Sequence, residues 1–303
     1  MTSITLVTNP ISGCGRSLQV CSALQSSLAE AGHAVTLVES SLEPVKSWLD
    51  PVLQDADLVL AAGGDGTVRM VAESACRTDT PLHQVPMGTG NLFARTLGMR
   101  ADLDSIIEAI DAWHIERLDA FDVGGTHGQL VASCGFDAAV VSDLTAHRSG
   151  PISNWTFLPI MLRQLARWRP VSTRVVADEQ VVSENHTGLC LVCNSLAYLR
   201  SSFDPALDRS MQDGLLDVVL LPTRSRIGVL RWILKAMHGR HLKDKRAIHV
   251  QARSIALSFD SPVLWQLDGE SPPGEASIER LHVQITPESL PVLMPVDQQA
   301  EEC

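Results

Sequence analysis

The chain has 303 residues, 45% of them hydrophobic and 19% charged, which is a globular composition and excludes a largely disordered protein. Its formal net charge of −11 argues against a general nucleic-acid binder. No apolar run approaches the ~18 residues of a membrane span, and MTSITLVTNP lacks the basic region of a signal peptide, so a cytosolic protein is expected.

In chain order, strands are expected at Ile4–Thr8, Val35–Val38, Asp57–Ala62 and Gln84–Pro86. Helices are expected at Leu18–Ala31, closed by Gly32, and at Val45–Leu53, Thr67–Cys76 and Gly90–Leu97. Alternation of this kind implies parallel strands with crossover helices, hence an α/β domain over residues 1–118. The texture changes near Asp119. Short β-type runs follow at Ala120–Val123, Gln129–Cys134, Thr173–Ala177, Leu189–Cys193, Leu216–Leu221, Ala247–Phe259, Leu264–Leu267 and Leu281–Ile285. Turn residues separate them, which predicts a β-rich sandwich or barrel over residues 119–288. Helical patterns near Trp155–Trp168, where Pro159 is expected to start or break the helix, and at Ile227–Met237 interrupt it. The seven cysteines suit reduced thiols, and Cys190 and Cys193 sit within an apolar run that reads as strand interior.

Three loops carry the chemistry. Gly63-Gly64-Asp65-Gly66-Thr67 follows an apolar strand and opens a helix. Glycines there let phosphate oxygens approach backbone N–H groups, and the helix N-terminus adds a partial positive charge. Asp65 cannot bind phosphate itself, so it acts through Mg²⁺, through water or as a base. Asn9-Pro10-Ile11-Ser12-Gly13 and Pro86-Met87-Gly88-Thr89-Gly90-Asn91 hold equivalent places after other strands. No Gly-Lys of a P-loop, Gly-x-Ser-x-Gly elbow or His-Glu-x-x-His helix is present. Asp213-Gly214 and Asp268-Gly269 are ordinary turn pairs when taken alone.

The glycine loops, Leu92-Phe93-Ala94-Arg95 behind them, Asp213-Gly214-Leu215-Leu216-Asp217-Val218 and Leu267-Asp268-Gly269-Glu270 together resemble the diacylglycerol kinase catalytic-domain family, in its order and spacing. The resemblance implies an NAD kinase/phosphofructokinase-like N-terminal nucleotide domain, to which residues 289–303 return, and a C-terminal lipid-binding β-sandwich domain. It implies an ATP-dependent lipid kinase, acting on a diacylglycerol-like or sphingoid hydroxyl, with ATP and Mg²⁺ as cofactors. By motif position, Asn9, Pro10, Ser12, Gly13, Ser40, Gly63, Gly64, Asp65, Gly66, Thr67, Thr89 and Asn91 would bind ATP. Glu270 would accept the proton of the lipid hydroxyl, with Asp268 beside it. A structural Mg²⁺ would be held by Asp213 and by the carbonyls of Ser210 and Leu215, and Asp65 would link it through water to the nucleotide. The chain departs from common family features at Cys14 and Arg16, at Leu92 and at Leu199-Arg200-Ser201-Ser202.

A lipid kinase must meet a bilayer. Pro151–Arg169 mixes Trp155, Phe157, Leu158 and Trp168 with Arg163, Arg167 and Arg169, an interfacial composition that equally suits a core-packing helix. Arg224–Arg253 holds nine Lys/Arg against one acid, Asp244, and is expected to dock on anionic lipid. The expected partners are therefore a lipid substrate and an anionic membrane surface, with no nucleic acid; a homodimer stays open. The rival readings are a soluble-substrate kinase such as an NAD kinase and a catalytically silent lipid-binding regulator.

Overall fold

The computed structural model of the protein describes residues 1–9, 17–41, 43–146, 154–196, 211–271 and 277–296. Two compact units divide it, Met1–Leu118 with the segment from Glu288, and Asp119–Pro287. In order, the first elements are β1 (Ser3–Thr8), α1 (Ser17–Glu30), β2 (Ala34–Glu39), α2 (Val45–Trp48), α3 (Asp50–Leu53), β3 (Leu58–Gly63), α4 (Asp65–Thr78), β4 (Leu82–Pro86), α5 (Leu92–Leu97), α6 (Leu103–Ala112) and β5 (Ile115–Val123). Then come β6 (Thr126–Gly128), β7 (Val131–Cys134), α7 (Phe136–Ala146), α8 (Asn154–Arg167), β8 (Thr173–Ala177), β9 (Gln180–His186), β10 (Gly188–Cys193), β11 (Leu216–Pro222), α9 (Arg226–Met237), β12 (Ile248–Ala252), β13 (Ser254–Leu267) and β14 (Ser277–Leu293).

In the first unit, β2, β1, β3 and β4 lie side by side in that order, all parallel. The end of β14 adds to β4 through Val292 and Leu82. β3 is buried at every position, as an inner strand covered on both faces must be. α4 buries Val68, Val71, Ala72 and Ala75, one helical stripe, against it. Arg77 near the end of α4 bonds Asp50 of α3 at 2.8 Å, and Ser74 donates to the same carboxylate at 2.5 Å. Burial pushes the Asp50 carboxyl up, but Arg77 and Ser74 together hold it below its ordinary value. Strand order reverses at β1, since β2 lies on one side and β3 on the other. The carboxyl ends of β1 and β3 therefore meet at a topological switch point, where sheets of this kind open a crevice.

The second unit is a β-sandwich. One sheet runs β12-β11-β10-β7-β13, all antiparallel. The other pairs β9 with β8, β8 with the first half of β13, and β14 with β13 on both sides of its bulge. β13 serves both sheets because its register shifts between Ser258 and Val263, a bulge that turns the strand from one layer to the next. Val192, Val218, Leu220, Ile255, Leu257 and Val283 fill the space between the layers.

Several local expectations change. Val45–Leu53 is two short helices, because Pro51 sits at the second position of α3 and closes the first helix at Leu49. Ala247–Phe259 is two strands, β12 in one sheet and β13 starting the other. The break falls at Arg253, where Asp178 accepts the amides of Arg253 and Ser254, both at 2.9 Å. α8 runs straight through Pro159, held by Ile160 and Met161, which are buried next to it.

Candidate active site

The loops after β3 and β4 are packed against each other, backbone to backbone. A Cβ on Gly88 would lie 2.5 Å from the Gly64 Cα, so Gly88 tolerates no side chain at this crossing, while one on Gly64 would sit tightly, 3.3 Å from the Gly88 Cα. A Cβ on Gly63 would strike the buried Thr67 at 2.3 Å. These glycines thus have a packing reason to be there besides any approach of phosphate. Gln84 donates to the Gly63 carbonyl at 3.0 Å and holds the end of β3 from the neighbouring strand. Asn91, in the left-handed region at φ 45°, closes its loop by accepting the Gly88 amide and donating to the Gly88 carbonyl, both at 2.8 Å.

Asp65 joins the two loops. Its Oδ1 accepts the amide of Phe93 in the first turn of α5 at 3.1 Å. α4 begins at Gly64 with no side-chain cap, so the amides of its first turn are not taken up by a capping side chain. Fourteen residues of helix stand behind them, and they lie past the carboxyl end of β3 at the switch point. Ser40 follows β2, its amide donating to the Thr8 carbonyl at 2.8 Å, and Asn9 follows β1. Thr89 is exposed on the loop after β4. Asn9, Ser40, Gly64, Asp65, Gly66, Thr89 and Asn91 therefore all sit past the carboxyl ends of the parallel strands.

In the second unit, Asp268 and Gly269 form a two-residue turn with both φ positive, 51° and 81°. Leu267 and Glu270 bond each other across it, at 2.9 and 3.0 Å. This is the mirror-image hairpin turn that Asp-Gly favours. The Asp268 carboxylate is buried, and it accepts three amides: Gln129 at 2.9 Å, Leu130 at 2.8 Å and Val131 at 2.9 Å. Gln266 accepts the Gly269 amide at 2.7 Å from below. Asp268 is thus a latch between the turn and the start of β7, and Glu270 is the half-buried carboxylate that the latched turn presents.

Asp213 is exposed, accepts the amide of Leu215 at 2.9 Å and a Gln251 amide hydrogen at 3.1 Å. Gly214, at φ 70°, donates its amide to Asp119 at 2.7 Å. Partial burial, with the like charges of Asp217 and Asp119, pushes the Asp213 carboxyl above its ordinary value. Among the described residues no three His, Cys, Asp or Glu side chains are grouped to hold a metal by themselves. A set of one carboxylate and two carbonyls does not need such a group. Pro10, Ser12, Gly13 and Ser210 lie outside the described residues, as do Cys14, Arg16 and Leu199–Ser202.

The second unit also holds an apolar cavity of about 190 Å³, lined by Phe136, Trp168, Val171, Phe259, Val263 and Leu264 among others, with Arg167 and Arg169 at its side. Cys134 and Cys190, register partners on β7 and β10, line it too, and burial pushes the Cys190 thiol up to about 12. Sequence reading passed over Gln84, Asp119 and Gln266. The signal available for them is a polar residue inside an apolar strand run, Leu118-Asp119-Ala120 and Trp265-Gln266-Leu267.

Known proteins share this organisation. Residues 3–123 match the family model of the diacylglycerol kinase catalytic domain, and residues 130–294 that of the YegS C-terminal NAD kinase beta sandwich-like domain. The chain is 27% identical to a diacylglycerol kinase of Mycobacterium tuberculosis over 298 residues, covering 88% of this chain and 91% of that one. It is 25% identical to a diacylglycerol kinase of Bacillus subtilis over 252 residues, covering 81% and 80%. A solved diacylglycerol kinase from Bacillus anthracis str. Sterne superposes with a TM-score of 0.70 at 18% identity, covering 97% of both chains. Yeast NADH kinase, solved with NADH, superposes with a TM-score of 0.51 at 9% identity, covering 96% of this chain and 82% of that one. The two structural likenesses are likenesses of fold.

Proposed function

The chain belongs to the diacylglycerol kinase catalytic-domain family, and from that premise we propose that it transfers the γ-phosphoryl group of ATP to the hydroxyl of a diacylglycerol-like or sphingoid lipid. The observation that carries the reading is the uncapped first turn of α4 at the switch point, locked to the next loop by Asp65. Phosphoryl transfer needs in-line placement, neutralised phosphate charge and an acceptor for the hydroxyl proton. The amides of α4, with Asn9, Ser40 and Thr89, take the phosphate end of the nucleotide. Glu270 takes the proton, and Asp268 positions it by fixing the turn.

A magnesium ion takes oxygen ligands, and the exposed Asp213 carboxylate is one such donor on the loop before β11. Asp213 with the carbonyls of Ser210 and Leu215 would hold it, and the ion when bound supplies positive charge for the phosphoryl oxygens. The apolar cavity of the second unit supports the reading as a place for part of the acceptor's acyl chain. Exposed Phe157, Leu158 and Leu162 on α8, and Ile227, Leu234 and Met237 on α9, with exposed Arg240, Lys243 and Lys245, favour peripheral contact with an anionic bilayer. Among the described residues no helix is long and apolar enough to cross one.

The fold likeness to yeast NADH kinase supports a second reading, a kinase for a soluble acceptor. Labelled ATP offered with diacylglycerol, monoacylglycerol, ceramide and sphingoid bases in mixed micelles, and separately with NAD, decides between them. Label in a lipid supports the first reading, and label in NAD alone overturns it.

A further inference from the structure

The second unit holds another cavity, of about 140 Å³, alongside α9. Pro222, Thr223 and Ser225 of the turn before the helix line it, with Gly228, Arg231, Trp232 and Lys235 of the helix and Arg246 of the loop after it. Gly228, Arg231, Trp232 and Lys235 fall on one face of α9, spaced by three and four residues. No acid is in the lining.

Each part is held in place. Trp232 is buried and donates its indole N–H to the Pro222 carbonyl at 3.0 Å, which seats the turn on the helix. Its ring lies 5.3 Å from the Lys235 ammonium and 5.2 Å from the Arg246 guanidinium, so it gathers two cations. Asp244 accepts both, Arg246 at 2.8 Å, and these partners hold its carboxyl well below the ordinary range. Ser225 caps the helix by accepting the Gly228 amide at 3.1 Å, which leaves its own hydroxyl hydrogen to donate. A Cβ on Gly228 would lie 1.9 Å from the Thr223 hydroxyl, so only glycine permits this turn.

Lys235 and Arg246 share one carboxylate, Asp244, and Arg231 adds a third cation to the lining. Two positive charges are left over. Arg231 is exposed and pairs with no acid among the described residues. Two guanidinium groups, an ammonium and a hydroxyl converging on a space of about four or five water volumes suit a tetrahedral oxyanion.

We propose that this pocket binds a phosphate group, either the head group of an anionic lipid or free phosphate. It is built wholly from the second unit and does not depend on which acceptor the enzyme phosphorylates. The test reads the site directly, through the indole N–H resonance of Trp232 in ¹⁵N-labelled protein, assigned with Trp232→Phe. Inorganic phosphate is titrated against wild type, Arg231→Gln and Arg280→Gln, the last an equal charge change at an exposed position outside the pocket. Binding of the same proteins to phosphatidylcholine vesicles with and without phosphatidic acid forms the second arm. A Trp232 shift with phosphate, weakened at least about tenfold in Arg231→Gln and little in Arg280→Gln, supports a phosphate site. No shift with phosphate, but phosphatidic-acid binding lost selectively in Arg231→Gln, supports it with the lipid head group as the source. No shift in either arm, or equal losses in both variants, overturns it and leaves only diffuse surface charge.

Discussion

Asp268 and Glu270 are two residues apart, yet their surroundings assign them different work. The Asp268 carboxylate accepts the amides of Gln129, Leu130 and Val131, which take up three of its roughly four lone-pair sites and favour a structural role for it. Asp268→Ala leaves three buried amides without their acceptor, and stability should fall by on the order of 3–5 kcal/mol in urea denaturation. An unchanged midpoint would show that the latch is dispensable. Asp65 separates structure from charge in a similar way. Asp65→Asn keeps an oxygen for the Phe93 amide, so the tie between the loops survives and the melting temperature should move little. Activity should nevertheless fall by roughly 10²-fold or more, because the negative charge near the phosphate loops is lost. Loss of folding in Asp65→Asn, or full activity, would contradict that assignment.

At the scale of elements, the strands and helices that were legible are those with a strong period. β3 is six buried residues, and α4 shows its apolar stripe at the spacing of a helix. α7, Phe136-Asp137-Ala138-Ala139-Val140-Val141, has apolar residues without a clean period, and β9 is a largely polar edge strand, so neither stood out. The Asp-Gly pairs were legible as turns, but Asp268 as a three-amide latch was not, since its partners lie some 137 residues away in the chain. The same holds for the α9 pocket, whose lining comes from three separate stretches. One element contact should be visible in solution. His249 of β12 bonds Asp217 of β11 at 2.6 Å. That hydrogen bond raises the imidazole above its ordinary value, against the opposing effect of burial. A raised folded value means the stabilisation is fully present below the unfolded value of about 6.5 and is lost as pH rises through the folded value. The imidazole is 36% exposed, so screening keeps the effect small. The urea midpoint of wild type should decline relative to that of His249→Gln as pH rises from about 6 through the neutral range, a difference that cancels the contribution of the other histidines. Parallel curves for the two proteins would dismiss the pair.

For the whole molecule, the proposed reading divides the work of phosphoryl transfer between two units. The first carries the parallel sheet and the glycine loops at its switch point, and the second carries the Glu270 turn and the apolar cavity. Fold class followed from the change of texture near Asp119, because crossover helices and alternating short strands leave different periods in a sequence. What composition and period could not supply is the apolar cavity, whose lining is assembled from distant segments. The central claim, that a lipid hydroxyl is phosphorylated with Glu270 as proton acceptor, is tested most directly by single-turnover transfer from γ-labelled ATP to lipid in mixed micelles. Wild type should label a diacylglycerol-like or sphingoid lipid. Glu270→Gln, which keeps shape but lacks carboxylate basicity, should bind ATP as well and transfer about 10²–10⁴-fold more slowly. No labelled lipid from wild type, or equal rates in the two proteins, would contradict the account.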